Sequence, residues 1–131
     1  PISLSYRFDA PDRSMVFTGD TGPCLALEEF AKNAELLVGE IFDTELVINR
    51  LRATNPDMSD HALLQMRQHF DEHHLTPEDL GKLASRAGVQ KVVAVHIPLI
   101  TKNTEEDAKY VSRILANFSG SVTISEDLAA Y

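Results

Sequence analysis

The stretch Val16-Phe17-Thr18-Gly19-Asp20-Thr21-Gly22 decides how the rest of the chain is read. Met15, Val16 and Phe17 make an apolar run that reads as a buried strand, and it stops abruptly on Gly-Asp-Thr-Gly. The strand's C-terminal end therefore presents a carboxylate, Asp20, in a turn flanked by two glycines, and Pro23 then opens a helix. In open α/β sheets the crevice beyond the carboxyl ends of the strands is the usual place for ligands. An acidic residue delivered there is a candidate for metal binding or acid/base chemistry. A second reading stands beside it: Asp20 caps the helix starting near Pro23, since Asp and Thr are good N-caps.

On the N-terminal side, Leu4-Ser5-Tyr6-Arg7-Phe8 alternates with the period of a half-buried strand. Ala10-Pro11-Asp12-Arg13 is a turn, so residues 4–18 read as a β-hairpin. On the C-terminal side, the helix over residues 23–32 places Leu27, Phe30 and Ala31 on one face. Leu36-Leu37-Val38 has the signature of a strand buried on both faces and also ends on glycine plus a carboxylate, Gly39-Glu40. Helices follow over residues 44–54, with Val47, Ile48 and Leu51 inward, and after the cap at Ser59 or Asp60, with Leu63, Met66 and Phe70 inward. Thr76-Pro77-Glu78-Asp79 is a helix start whose apolar stripe is Leu80, Leu83, Ala84 and Ala87, and Gly88 ends it. Val92-Val93-Ala94-Val95 is the most strand-like stretch and terminates on His96. A last helix from Thr104 buries Ala108, Val111, Ile114, Leu115 and Phe118, before a final strand, Val122-Thr123-Ile124. Alternating helices and strands behind a hairpin predict an α/β fold, a mixed sheet with an N-terminal β-hairpin and flanking helices.

With 131 residues the chain suits one domain, residues 1–131. Twenty acidic against twelve basic residues give a formal charge of -8, which argues against broad contacts to a phosphate backbone. No apolar run approaches the roughly 20 residues needed to span a bilayer, and no signal peptide opens the chain. A lone cysteine, Cys24, excludes an internal disulfide and a cysteine-based zinc cluster, and fits a cytoplasmic location. Its expected role is that of a small packing residue. The start at Pro1, without methionine, reads as the back half of something longer or a trimmed chain.

Three strand ends thus present ionisable groups: Asp20, Glu40 and His96. If the strands lie side by side, all three reach one edge of the sheet, and the pair His73-His74, just before a helix start, is placed to join them. Carboxylate and imidazole together suit zinc, manganese or iron, and without metal they suit a general acid/base pair. Each group also has a structural reading. His96 fits a hydrogen-bonded structural residue, Glu40 a partner for a surface cation, and His73 and His74 a favourable charge at a helix C-terminus. His61 and His69 read as solvent-exposed and without a role. No P-loop, G-x-G-x-x-G, G-x-S-x-G or H-E-x-x-H occurs.

In this order, the pieces resemble the C-terminal half of a metallo-β-lactamase-fold hydrolase, closest to its ribonuclease Z and arylsulfatase-like branch. The stretches that carry the resemblance are Tyr6-Arg7-Phe8 with residues 16–22, Leu36-Leu37-Val38-Gly39-Glu40, His74-Leu75-Thr76-Pro77-Glu78 and Val93-Ala94-Val95-His96. The resemblance implies half of an αββα sandwich. It implies that Asp20 bridges two metal ions, zinc or manganese, and that His96 is a ligand of the second. It implies that His74 is the proton donor to the leaving group, with Glu40 as its partner.

Two departures accompany it. Relatives commonly carry His-Glu where this chain has Gly39-Glu40, followed here by Ile41-Phe42-Asp43 rather than small polar residues. The H-x-H-x-D-H motif of the family's other half does not occur in these 131 residues. The expectation is part of a metal-dependent hydrolase of a phosphodiester or other ester, inactive as this chain alone, with its sheet face meeting the missing N-terminal half or a second copy. The substrate is a small-molecule ester or a nucleic acid, with no membrane partner. The rival expectations are a non-catalytic α/β module that works by association, and a metal-free acid/base site on Glu40 and His74.

Overall fold

The computed structural model describes residues 3–97 and 104–131. The N-terminal hairpin forms as the sequence predicts: β1 (Tyr6–Asp9) pairs antiparallel with β2 (Ser14–Phe17). Next come α1 (Leu25–Phe30), β3 (Leu36–Glu40), α2 (Thr44–Thr54), α3 (Asp60–His73), α4 (Pro77–Ala87), β4 (Lys91–Val95), α5 (Thr104–Leu115) and β5 (Ser121–Ile124). The five strands form one mixed sheet in the order β1-β2-β3-β4-β5, parallel from β2 through β5. Parallel neighbours need long crossovers. Here helices supply them, so the C-terminal ends of β2, β3 and β4 lie side by side.

Register sorts the side chains into two faces. The row Val16, Leu37, Val92 is fully buried and packs with Ala94 against α1, α4 and α5. Gly39, on the same face, lets Leu80 of α4 approach so closely that a Cβ would lie 2.4 Å from its Cδ1. The alternate row, Tyr6, Phe17, Val38, Val93 and Thr123, faces away from the helices. Tyr6 is 55% and Phe17 37% exposed. Leu36 and Val38 are half-buried, so β3 is buried on one face and not on both as its apolar run predicts. Described helices cover one side of the sheet, and on the other side Val93 and Glu40 are buried while Leu36 and Val38 are only partly covered.

Capping chemistry sets the helix limits. Thr76 caps α4 by accepting from the Asp79 N–H at 3.1 Å, Pro77 occupies the first turn, and Gly88 closes the helix at φ 68°. The Leu80, Leu83, Ala84, Ala87 stripe is buried as the periodicity predicts. In α5 the stripe is rotated. Tyr110 and Ile114 are inward, whereas Ala108 is exposed and Leu115 is 43% exposed. A bidentate pair explains the rotation: Arg113 donates to both carboxylate oxygens of Glu78 at 2.6 and 2.9 Å and to Asp43 at 2.7 Å. That clasp turns one side of α5 toward α4 and the start of α2.

Helix α1 is shorter than predicted, with Cys24 at its N-cap and no side-chain cap bond. At its other end, the carbonyls of Phe30 and, just beyond the helix, Lys32 accept from the Arg7 guanidinium at 2.9 and 3.0 Å. Among the described residues, no helix is long and apolar enough to cross a membrane.

Candidate metal centre

Four residues converge beyond the strand ends. Asp20 follows β2, Glu40 closes β3, His96 follows β4, and His74 follows α3. One ligand atom from each lies within 4.8 Å of the others. All four residues singled out in the sequence therefore meet at one place.

Local backbone interactions explain why. Thr18, buried, donates its N–H to the Val38 carbonyl at 3.0 Å, and its hydroxyl accepts from the Glu40 N–H at 3.3 Å. Gly19 then takes φ 63°, where a Cβ would lie 2.6 Å from the Leu4 carbonyl oxygen. Only glycine turns the chain there without strain and contact. Gly22 abuts α3 so tightly that a Cβ would sit 2.0 Å from the Glu72 carbonyl oxygen. The Gly-Asp-Thr-Gly loop is thereby docked on the end of the helix that delivers His74. The chain after β3 is pinned twice: Ile41 donates to the Val95 carbonyl at 3.0 Å and Phe42 to that of Leu75 at 2.8 Å. His96 has φ 55°, the left-handed region that costs an ordinary residue roughly 1–2 kcal/mol. Strain of this kind persists where surrounding contacts impose it, commonly at functional sites.

Glu40 is the centre of the arrangement at 1% exposure. A buried carboxylate is costly unless its oxygens are satisfied. Oε1 accepts from the Thr21 N–H at 2.7 Å, Oε2 lies 2.8 Å from Nδ1 of His74, and the same oxygen lies 3.4 Å from Nδ1 of His96. Against a carboxylate that only accepts, Nδ1 of His74 would carry the hydrogen, leaving Nε2 for other work. Phe42 stacks on the His74 ring at 4.5 Å between centroids and 20° between planes, which fixes its tilt. Asp20 is exposed, and its Oδ1 lies 2.9 Å from Nδ1 of His96.

These contacts bear on the readings given for Asp20, Glu40 and Cys24. Asp20 faces His96 and does not cap α1, whose N-cap is Cys24. Glu40 pairs with histidine and a backbone amide rather than a surface cation. Cys24 is exposed, not a packing residue, and lines a cavity of about 550 Å³ with Asp20, His74, Glu72, His69 and His73. His69, exposed as predicted, thus has a place in the cavity wall that its lone position did not announce. Neither the Thr21 amide nor the Phe42 stack left a sequence signal, because both depend on which loops meet.

Two carboxylates and two imidazoles are a donor set suited to zinc, manganese or iron. Their spacing fits an ion held between the strand ends.

Comparison with known proteins follows the same direction. No protein-family model matches the chain. The ribonuclease Z of Mycobacterium avium (strain 104) is 30% identical over 127 residues, covering 96% of this chain and 40% of the relative. That of Mycobacterium tuberculosis (strain ATCC 25177 / H37Ra) is 26% identical over 96% of this chain and 41% of the relative. The chain thus spans about two-fifths of the length of the curated relatives it matches. Among solved structures, the metallo-β-lactamase fold protein YhfI from Bacillus subtilis superposes with a TM-score of 0.65 at 20% identity, covering 93% of this chain and 41% of that one. Human tRNase Z, short form, gives a TM-score of 0.54 at 16% identity over 95% of this chain and 36% of that one.

Proposed function

We propose that this ribonuclease Z-like chain of metallo-β-lactamase fold supplies the acid/base and part of the metal-ligating machinery of a metal-dependent hydrolase acting on a phosphodiester or another ester. The observation that carries the reading is the convergence of Asp20, Glu40, His74 and His96 within 4.8 Å. In it, Asp20 and His96 are metal ligands, and Glu40 and His74 are the proton-transfer pair.

Zinc or manganese in a binuclear site, held in part by Asp20 and His96, would supply Lewis-acid charge neutralisation and an activated water. This chain's own residues do the rest. Glu40 holds the Nδ1 hydrogen of His74 and stabilises the imidazolium. His74 then delivers a proton from Nε2 to the leaving oxygen as the ester bond breaks. Phe42 keeps the ring plane in position while that happens. Asp20 and Glu72, on the cavity wall, add negative charge that favours a cation.

Two ligands are too few for two ions. The remaining ligands come from the half of the sandwich that packs on the open sheet face, and a second copy of the chain is the other occupant of that face. Exposed Tyr6 and Phe17 on that face, next to half-buried Val38, support this, as does a hollow of about 230 Å³ that runs from Tyr6 and Phe17 to Asp20, Glu40 and His96. A large exposed apolar patch usually marks an interface. Alone, the chain is then inactive, and an exposed free thiol fits a reducing, cytoplasmic location.

The test is hydrolysis of bis(p-nitrophenyl) phosphate by the full-length polypeptide containing these residues, loaded with zinc or manganese. Activity that is lost on chelation, restored by metal and abolished by Asp20→Ala supports the reading. Activity that survives exhaustive chelation would sink it in favour of a metal-free Glu40–His74 pair.

A further inference from the structure

The cavity beside His74 has a second wall with ligating chemistry of its own. His69 and His73 lie four residues apart in the last turns of α3, both exposed, with ring centroids 4.6 Å apart. Both line the cavity of about 550 Å³ shared with Asp20, Glu72 and Cys24. Two imidazoles at this spacing project from one helix face and close on a common ion, the arrangement used by helical metal sites. Three features of the cavity favour a cation. Its lining residues include the carboxylates of Asp20 and Glu72 and no lysine or arginine. The last turn of α3, at the negative end of its macrodipole, lines it through Glu72 and His73. The exposed thiol of Cys24 adds a soft donor on the opposite wall. Imidazole nitrogens select zinc, nickel or copper over magnesium or calcium.

We propose that His69 and His73 form a second binding site for a divalent transition-metal cation, separate from the Asp20, Glu40, His74, His96 cluster. Two imidazoles chelate the ion, and water completes its shell in a cavity with room for it. His74, the proton donor of the reaction proposed above, lines the same cavity, so an ion at His69 and His73 adjoins it. The binding itself does not depend on that reaction.

Nickel is the probe. Calorimetric titration of this chain with nickel chloride, read alongside the imidazole proton resonances, is compared in four forms: parent, His69→Gln/His73→Gln, Asp20→Ala/His96→Ala, and the last with His69→Gln added. Gln is a good helix former at exposed positions, and circular dichroism checks that each form is folded. The Asp20→Ala/His96→Ala form is expected to keep a saturable binding heat, with paramagnetic broadening at His69 and His73. In that background, His69→Gln is expected to weaken binding roughly tenfold or more. Unchanged nickel affinity in that comparison, or sharp His69 and His73 resonances at saturating nickel, would overturn the proposal. Neither result bears on the Asp20–His96 assignment, which fails or stands on its own substitutions.

Discussion

Nδ1 of His74 lies 2.8 Å from Oε2 of Glu40, a carboxylate buried to 1% exposure and held on its other oxygen by the Thr21 amide. The pair joins a strand end to a helix end 34 residues apart. Glu40→Gln keeps the volume but replaces one acceptor oxygen with a donor, so the Nδ1–H of His74 loses its anionic partner. In the full-length, metal-loaded protein, kcat is expected to fall roughly 100- to 10,000-fold, the range for losing general acid/base assistance. KM stays nearly unchanged. A KM effect with intact kcat would mean that Glu40 serves binding instead.

On the proposed assignment, manganese held by Asp20 and His96 would couple to folding. An ion that binds the folded state alone stabilises it by about 2.7 kcal/mol at a hundredfold excess over its dissociation constant. For a domain of this size that raises Tm by several degrees. The manganese-dependent shift is expected in the parent and absent from both Asp20→Ala and His96→Ala, measured by thermal melting with and without chelator. A shift that persists in both variants contradicts the ligand assignment.

Two glycines hold parts of the site at contact distance, for different reasons. At Gly39 a methyl group would press on Leu80, a flexible side chain, whereas at Gly22 it would press on the backbone carbonyl of Glu72. Gly39→Ala is expected to destabilise by about 1–3 kcal/mol through overpacking. Gly22→Ala is expected to displace the Asp20 loop from α3, so it should weaken manganese binding more than Gly39→Ala does. Denaturant midpoints and metal titration separate the two effects.

Arg113 donates two hydrogen bonds to Glu78, which hold the Glu78 carboxyl below its ordinary value. A group with a lowered folded pKa binds fewer protons in the folded than in the unfolded state. Its contribution is therefore complete above the unfolded value of about 4.3 and is lost as pH falls through the folded one. Glu78 is partly exposed, so the contribution is about 1 kcal/mol or less. Urea midpoints at pH 7 and pH 3 should differ less in Glu78→Gln than in the parent. Equal differences would remove Glu78 from acid sensitivity.

At the alkaline end, burial pushes the Tyr110 hydroxyl up to about 12, with the nearby carboxylates of Asp43 and Glu106 adding to it. Here the folded pKa is raised. Stability is complete below the unfolded value of about 10 and falls as pH climbs toward the folded one, by up to about 1.4 kcal/mol per pH unit. Tyr110→Phe should lose this alkaline slope between pH 10 and 12 and keep its neutral-pH stability. A slope that remains in the variant points to other groups.

The sequence by itself determined the hairpin, the order of helices and strands that follows it and the strand-end positions of Asp20, Glu40 and His96, because side-chain periodicity, capping residues and glycine stops act within a few residues. It also carried enough order to predict the metallo-β-lactamase-type half-sandwich. The tertiary structure decided what periodicity does not encode. Covering one sheet face left Leu36 and Val38 half-buried, and the Arg113 clasp turned Tyr110 inward at the expense of Leu115. Glu40 became the buried centre of the site because three separate loops bring an amide and two imidazoles to it. Asp20 was legible as a strand-end carboxylate. Its 2.9 Å contact with His96 arises only when β2, β3 and β4 lie side by side and the chain turns left-handed at His96, since the two residues are brought together by sheet register and not by local sequence.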